Sequence, residues 1–389
     1  MAKLNLAVLD GDTRYMDNFA GYVAGHYRHR FNLLTFTSPA ALLDYVQQKD
    51  SRADILLIAV EEYGDWLAKL ETGLVILLAR GVTNTASPPD GRYAAGVPDT
   101  PASSADGYAR VDRYNGADKL VSDILDIYSR GDRAAIDTGD VHGGRENKII
   151  TVISAEGGIG KTTFAVALCA HFARLKLKTL YVSLDYMCGV VSDPEHDAGG
   201  GLSDLIYTVK TRPDRLGIKL EALGKAARGY GFYRIAPPIY PMDIDEIQPA
   251  DIEALVARLR GAGLFDRVVV DTHSGLSSRN RTLMELSDAI AVVARCGAGI
   301  DKLLMLKAQI DRCLADNTGD LYKRCNIILN RARAEDAPYA AAEGLAETFA
   351  ARVSVIPYCA DICDDYNPET LAGISNSFGA AVAEIARRT

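Results

Sequence analysis

At 389 residues, 48% hydrophobic and 24% charged, the chain has the make-up of a globular protein of about two domains, each large enough to bury a core. The formal net charge of −8 is evenly spread, the first 130 residues carrying 13 Lys+Arg against 17 Asp+Glu, which argues against a basic domain and against sequence-specific nucleic-acid binding. Seven scattered cysteines, an acidic N-terminus without a signal-like apolar stretch, and no run near about 18 apolar residues lead us to expect reduced thiols, a cytoplasmic location and no direct membrane insertion.

In chain order, Leu4–Leu9 is an apolar strand ending in Asp10-Gly11-Asp12, and a helical pattern runs from there to Tyr27. Phe31–Phe36 is a second strand. Ser38-Pro39 then opens a helix over 40–48, serine capping it and proline taking the first turn, where its missing N–H matters least. Ile55–Val60 and Leu74–Ala79 are two more apolar strands. Residues 81–108 are rich in Pro, Gly, Ser and Thr and read as loop. A fifth strand precedes Arg113-Tyr114, and Asp118–Ser129 is an amphipathic closing helix. Strands alternating with helices at this length predict a parallel sheet covered on both faces.

Residues 131–147 are polar and glycine-containing, a linker between a first domain over 1–130 and a second over 148–389. The second domain opens with a β-branched run, Ile149–Ile153, followed by Ala155-Glu156-Gly157-Gly158-Ile159-Gly160-Lys161-Thr162-Thr163 and a nearly uncharged helix. Strand, glycine-rich turn and helix in this order build a cradle for phosphate. Glycines let backbone N–H groups converge on the anion, and the helix N-terminus favours negative charge. Lys161 is expected to supply charge for the outer phosphates and Thr162 a hydroxyl for Mg²⁺. The strict phosphate-loop pattern has glycine where Ala155 stands, so the strand–loop–helix context carries this reading.

Further strands are predicted at 179–184, 232–236, 267–270, 289–294, 326–329 and 353–356, seven in all with the first. Two of them run into aspartates, Asp185 and Asp271. Ligands of doubly wound sheets lie beyond the carboxyl ends of the strands, so both aspartates are candidate partners of the loop. The fold class expected is therefore α/β, with two doubly wound domains.

Taken together, the 157–163 loop, Asp185, the segment Val268-Val269-Val270-Asp271-Thr272 and the pair Asn330-Arg331 resemble the MinD/ParA family of ATPases with a deviant phosphate loop, over nearly all of 148–389. The first domain resembles the receiver domains of response regulators, with a flavodoxin-like sheet. Asp10 and Asp12 fall where that family has its acidic pair, expected here as a solvated loop end. Ala59 falls on the phospho-acceptor, and Arg113 where the family has lysine, so phosphotransfer is not expected. A degenerate receiver ahead of such an ATPase domain is similar to the TadZ/CpaE proteins, which help to localise and assemble the Tad (Flp) pilus secretion machinery.

The resemblance implies ATP and Mg²⁺ as cofactors. It places Gly157, Gly158, Ile159, Gly160, Lys161, Thr162 and Thr163 around the phosphates and Thr162 and Asp271 at the metal. It puts Asp185 near the attacking water, with Lys161 as its catalytic companion, and Asn330 on the adenine. It implies a homodimer with pilus or secretion proteins as partners. Glu156 departs from the family, which has a second lysine there; weak hydrolysis and an ATP-binding organiser are expected, with an active ATPase positioning another cargo as the alternative.

Overall fold

The computed structural model describes residues 3–47, 53–70, 73–81, 108–130, 147–186, 201–227, 229–238, 240–314, 318–360, 362, 371 and 376–389. The expected linker up to residue 146, most of the 81–108 loop, two of the three glycines at 199–201, Cys188 and Cys363 lie outside these residues. Two compact units separate, one of residues 1–140 with 217–222, the other of 141–216 with 223–389.

In the first unit, β1 (Leu4–Leu9), α1 (Thr13–His26), β2 (Phe31–Phe36), α2 (Pro39–Val46), β3 (Ile55–Ala59), β4 (Leu74–Ala79), β5 (Ala109–Asp112) and α3 (Ala117–Arg130) follow one another. The sheet is parallel throughout, in the order β2-β1-β3-β4-β5, which is the flavodoxin-like doubly wound order. β3 is buried along its whole length, as a central strand covered on both faces must be. The Ser38 hydroxyl accepts from the Ala41 N–H and caps α2, which ends two residues before the predicted boundary. Residues 217–222 group with this unit. Ile218 and Ala222 enter its core, and the buried Arg30 guanidinium pairs with Glu221.

One expectation about this unit is corrected. Asp10 does not end in solvent; it is 1% exposed. An Nη2 of Arg113 lies 2.9 Å from Asp10 and 3.3 Å from Asp12, and the guanidinium covers the Tyr15 ring at 4.7 Å. Asp12 is exposed and caps α1 through the N–H groups of Arg14 and Tyr15. Arg113 follows β5 directly, with two strands between β5 and β1, and a single nitrogen of its guanidinium reaches both carboxylates.

The second unit holds β6 (Lys148–Ser154), α4 (Lys161–Arg174), β7 (Thr179–Leu184), α5 (Gly201–Thr211), β8 (Lys225–Ala226), β9 (Tyr233–Arg234) and α7 (Pro249–Ala262); α6 (Leu216–Leu223) falls between α5 and β8 in the chain, and its residues 217–222 are those that group with the first unit. β10 (Arg267–Thr272), α8 (Ser278–Leu286), β11 (Ala289–Arg295), α9 (Ile300–Cys313), α10 (Thr318–Arg324), β12 (Cys325–Ala332), α11 (Pro338–Phe349), β13 (Arg352–Pro357) and a final helix, Ser377–Arg387, complete it. The sheet order is β13-β12-β11-β6-β10-β7-β9-β8, parallel except for β8. Eight strands stand where seven were predicted. The two-residue β8 pairs antiparallel with β9, and β9 is cut short ahead of Pro237-Pro238, which have no N–H to extend a ladder.

β6 lies between β10 and β11, so the loop that follows it emerges over the middle of the sheet. α4 is buried nearly all round, from Lys161 to Phe172, because it packs on the sheet and beneath the final helix. Among the described residues no helix is long and apolar enough to cross a membrane.

Candidate functional site

The loop after β6 is shaped by its glycines. Gly158 has φ 73° and Gly160 φ 91°, in the left-handed region where any side chain is strained. At Gly160 there is no room either, since an added Cβ would stand 2.6 Å from the Asn330 Nδ2. Gly160 is also the N-cap of α4, and no side chain caps that end. The first N–H groups of a long buried helix are thereby left to an outside acceptor, the condition under which an anion binds at a helix start.

Side-chain hydroxyls lace the ends of β6 and β10. Ser154 Oγ donates to the Glu156 carbonyl oxygen at 2.9 Å and lies 3.0 Å from Ser274 Oγ. The Thr272 hydroxyl donates to the Val152 carbonyl oxygen at 3.0 Å. The entry to the loop is therefore tied to the ends of β6 and β10.

Lys161, the first residue of α4, is buried, and its ammonium reaches back over the sheet. Nζ lies 3.1 Å from Asp271 Oδ1 and 3.3 Å from Asp185 Oδ2. Asp271, within β10, is fully buried. Its other oxygen accepts from the Tyr181 hydroxyl at 3.0 Å, and the Thr162 hydroxyl bonds it as well. Burial pushes the Asp271 carboxyl above the usual range; the Lys161 ammonium and the bonds from Thr162, Lys161 and Tyr181 pull it back only in part. Asp185, just past β7, keeps its side chain 29% exposed. The three strand ends singled out in the sequence thus converge on one cluster.

Asn330 lies at the same end of β12, where the register with β13 shifts and Arg331 takes φ 58°. Its side chain is buried, and Nδ2 donates to the Ile159 carbonyl oxygen at 2.7 Å. Asn330 therefore braces the loop directly. Together with Gly160, Thr163, Arg331, Pro357 and Cys359 it lines a small cleft beside α4. Thr163 is buried in the first turn of α4, and Ile159 is the loop's apolar anchor in the core.

Several neighbours escaped sequence reasoning. Tyr181 sits inside a strand and reads as core; only its pairing with Asp271 shows otherwise. Asn280 on α8 is 1% exposed and donates to the carbonyl oxygens of His273 and Gly275, fixing the turn after β10. Burial, and then the Arg279 charge, hold the His273 imidazole below its usual pKa. Tyr186 donates to Asp245, which also pairs with Arg279 at 3.6 Å. Glu156 pairs with Lys302 on α9, 146 residues away. No local pattern announces such long-range partners.

The chemistry of this arrangement is that of an anion site with hard oxygen donors beside it. Thr162 and Asp271 offer a hydroxyl and a carboxylate already bonded to each other, donors of the kind Mg²⁺ takes in small number while keeping waters and phosphate oxygens. Among the described residues no group of three or more His, Cys, Asp and Glu could hold a metal unaided.

The CobQ/CobB/MinD/ParA nucleotide binding domain matches residues 150–369. No curated protein matches the chain. Among solved structures, the chain is similar to a ParA family ATPase from Chlorobium tepidum TLS, at 16% identity and TM-score 0.48 over 62% of this chain and 99% of that one. It is similar to a MinC:MinD cell division complex from Aquifex aeolicus, at 17% identity and TM-score 0.48 over 62% and 95%. A third is a septum site-determining protein MinD complexed with Mg-ADP from Pyrococcus horikoshii OT3, at 18% identity and TM-score 0.45 over 62% and 95%.

Proposed function

We propose that this chain, which belongs to the CobQ/CobB/MinD/ParA nucleotide-binding domain family, binds ATP with Mg²⁺ through residues 148–389 and pairs with a second copy when it does so, as a localisation and assembly factor for a Tad (Flp) pilus or secretion machine. The observation that carries the binding step is Lys161. It is the first residue of a helix whose N-terminus has no side-chain cap, and its ammonium stands between two strand-end carboxylates. A triphosphate arriving at that helix end would draw the ammonium off the carboxylates and give it phosphate partners instead, with the Mg²⁺ that accompanies the nucleotide supplying positive charge for Asp271 in its place.

The backbone of Gly157, Gly158, Ile159 and Gly160 and the start of α4 would hold the phosphates, Lys161 the outer ones and Thr163 the innermost. Thr162 and Asp271 would hold Mg²⁺, which when bound offsets the charge of the phosphate oxygens. Asn330 keeps the loop in place through one N–H of its amide, given to Ile159, which leaves its carbonyl oxygen and its second N–H for adenine. The first unit serves protein contacts rather than phosphotransfer. Alanine at position 59 has no oxygen to phosphorylate, and the Arg113 guanidinium already occupies the acidic pair. Sedimentation velocity with and without Mg-ATP tests the pairing step. A shift from monomer to dimer that Lys161→Ala abolishes is expected; identical profiles for the wild type in both conditions would refute it.

One observation favours a second reading, an active ATPase that positions another cargo. Asp185 is an open carboxylate beside Lys161, able to hold a water and take its proton. In that case the wild type turns ATP over and Asp185→Ala binds it without turnover.

A further inference from the structure

Glu156 is an acidic residue next to a loop read as a triphosphate cradle, and it is not left to itself. Its backbone is fixed, because the Ser154 hydroxyl donates to its carbonyl oxygen at 2.9 Å. Its carboxylate, 20% exposed, pairs with the ammonium of Lys302. Lys302 is the third residue of α9, a helix that starts at Ile300 after a turn with no side-chain cap. A cation there stands at the positive end of the helix dipole, a position that disfavours it unless an anion compensates. The pair thus joins two placements that are each unfavourable alone: an acid where phosphates are to bind, and a base at a helix start.

We propose that Lys302 is a positioning residue for the nucleotide site, which neutralises Glu156 and turns its carboxylate away from the phosphates. The inference rests on the ATP-binding reading. Without Lys302 the Glu156 carboxylate is a free negative charge one residue upstream of Gly157, and its repulsion grows with the number of phosphate charges. Coulomb interactions at this range, screened as at a protein surface, correspond to about a tenfold loss for ATP and a smaller loss, about threefold, for ADP. Loss of a pair that only steadied α9 would lower thermal stability slightly and leave the ATP-to-ADP ratio alone.

The test is a titration of wild type, Lys302→Met, Glu156→Gln and the double variant with Mg-ATPγS and Mg-ADP, read by calorimetry. Lys302 is 56% exposed, so its variant should fold, and Lys302→Arg serves as the charge-preserving control. Lys302→Met should bind Mg-ATPγS about tenfold more weakly than wild type, and Mg-ADP about threefold. The double variant should return to within about twofold of wild type, since neighbouring sites couple. Glu156→Gln and Lys302→Arg should bind at least as well as wild type. A Lys302→Met protein that binds like wild type would overturn the proposal, as would a double variant as weak as Lys302→Met. Either result leaves the nucleotide site itself standing, whereas a wild type that binds no ATPγS would overturn both.

Discussion

Replacing Lys161 by Ala should destabilise the second unit even with no nucleotide present. Asp271 is fully buried, and Lys161 supplies its only ion pair among the described residues. Its remaining bonds, from Tyr181 and Thr162, are neutral. Stripping one partner from a buried charge pair costs about 3–5 kcal/mol, because the surviving charge cannot be rehydrated. The open Asp185 regains water and contributes little. The pH dependence has a definite sign. Burial raises the Asp271 pKa in the folded protein, so the folded state holds that proton more tightly than the unfolded chain does. The stability this group contributes is therefore full below its unfolded value near 3.8 and is lost as pH rises through its folded value. Removing Lys161 raises that folded value further. The penalty of Lys161→Ala should be largest above it and shrink as the solution is acidified toward pH 4. Urea unfolding followed by far-UV circular dichroism, at pH 7.5 and pH 5, measures both points. Asp271→Asn in the Lys161→Ala background should recover most of the loss. A Lys161→Ala protein as stable as wild type at pH 7.5, or one whose penalty grows on acidification, would refute the reasoning.

Three further outcomes are expected. Asn330→Ala removes the bond to the Ile159 carbonyl and should cost about 1–3 kcal/mol of stability, with faster nucleotide release in stopped-flow chase experiments. Gly160→Ala forces a side chain into φ 91° and against Asn330 Nδ2; it should lose nucleotide binding in equilibrium titrations more completely than Gly158→Ala, where nothing stands within 4 Å of the added carbon. In the first unit, Arg113→Met leaves Asp10 buried without its cation, and Asp10→Asn on top of it should restore stability. The chain's one tryptophan, Trp66, reports that unit by fluorescence.

The geometry of the glycine-rich loop and the convergence of the strand-end aspartates on Lys161 are legible because both are written locally. Glycines at 158 and 160 answer to backbone angles, and aspartates closing β-branched runs answer to the carboxyl edge of a parallel sheet. The apolar runs of the first unit gave its strands, since central parallel strands bury both faces. Partnership was less legible. Asp10 reads as solvated because its neighbours Gly11 and Asp12 are polar; its burial depends on Arg113, about a hundred residues away. Tyr181 reads as core, and nothing local singles out Lys302. The short β8 was missed because two residues carry no periodicity, and its pairing with β9 is set by a turn rather than by an apolar pattern.

The claim at the centre of this account is that the Lys161 loop binds a nucleoside triphosphate. Isothermal titration of Mg-ATPγS into the full chain tests it most directly. We predict saturable binding at one nucleotide per chain by the wild type and none by Lys161→Ala. Absence of binding by the wild type, or equal affinity in Lys161→Ala, would contradict it.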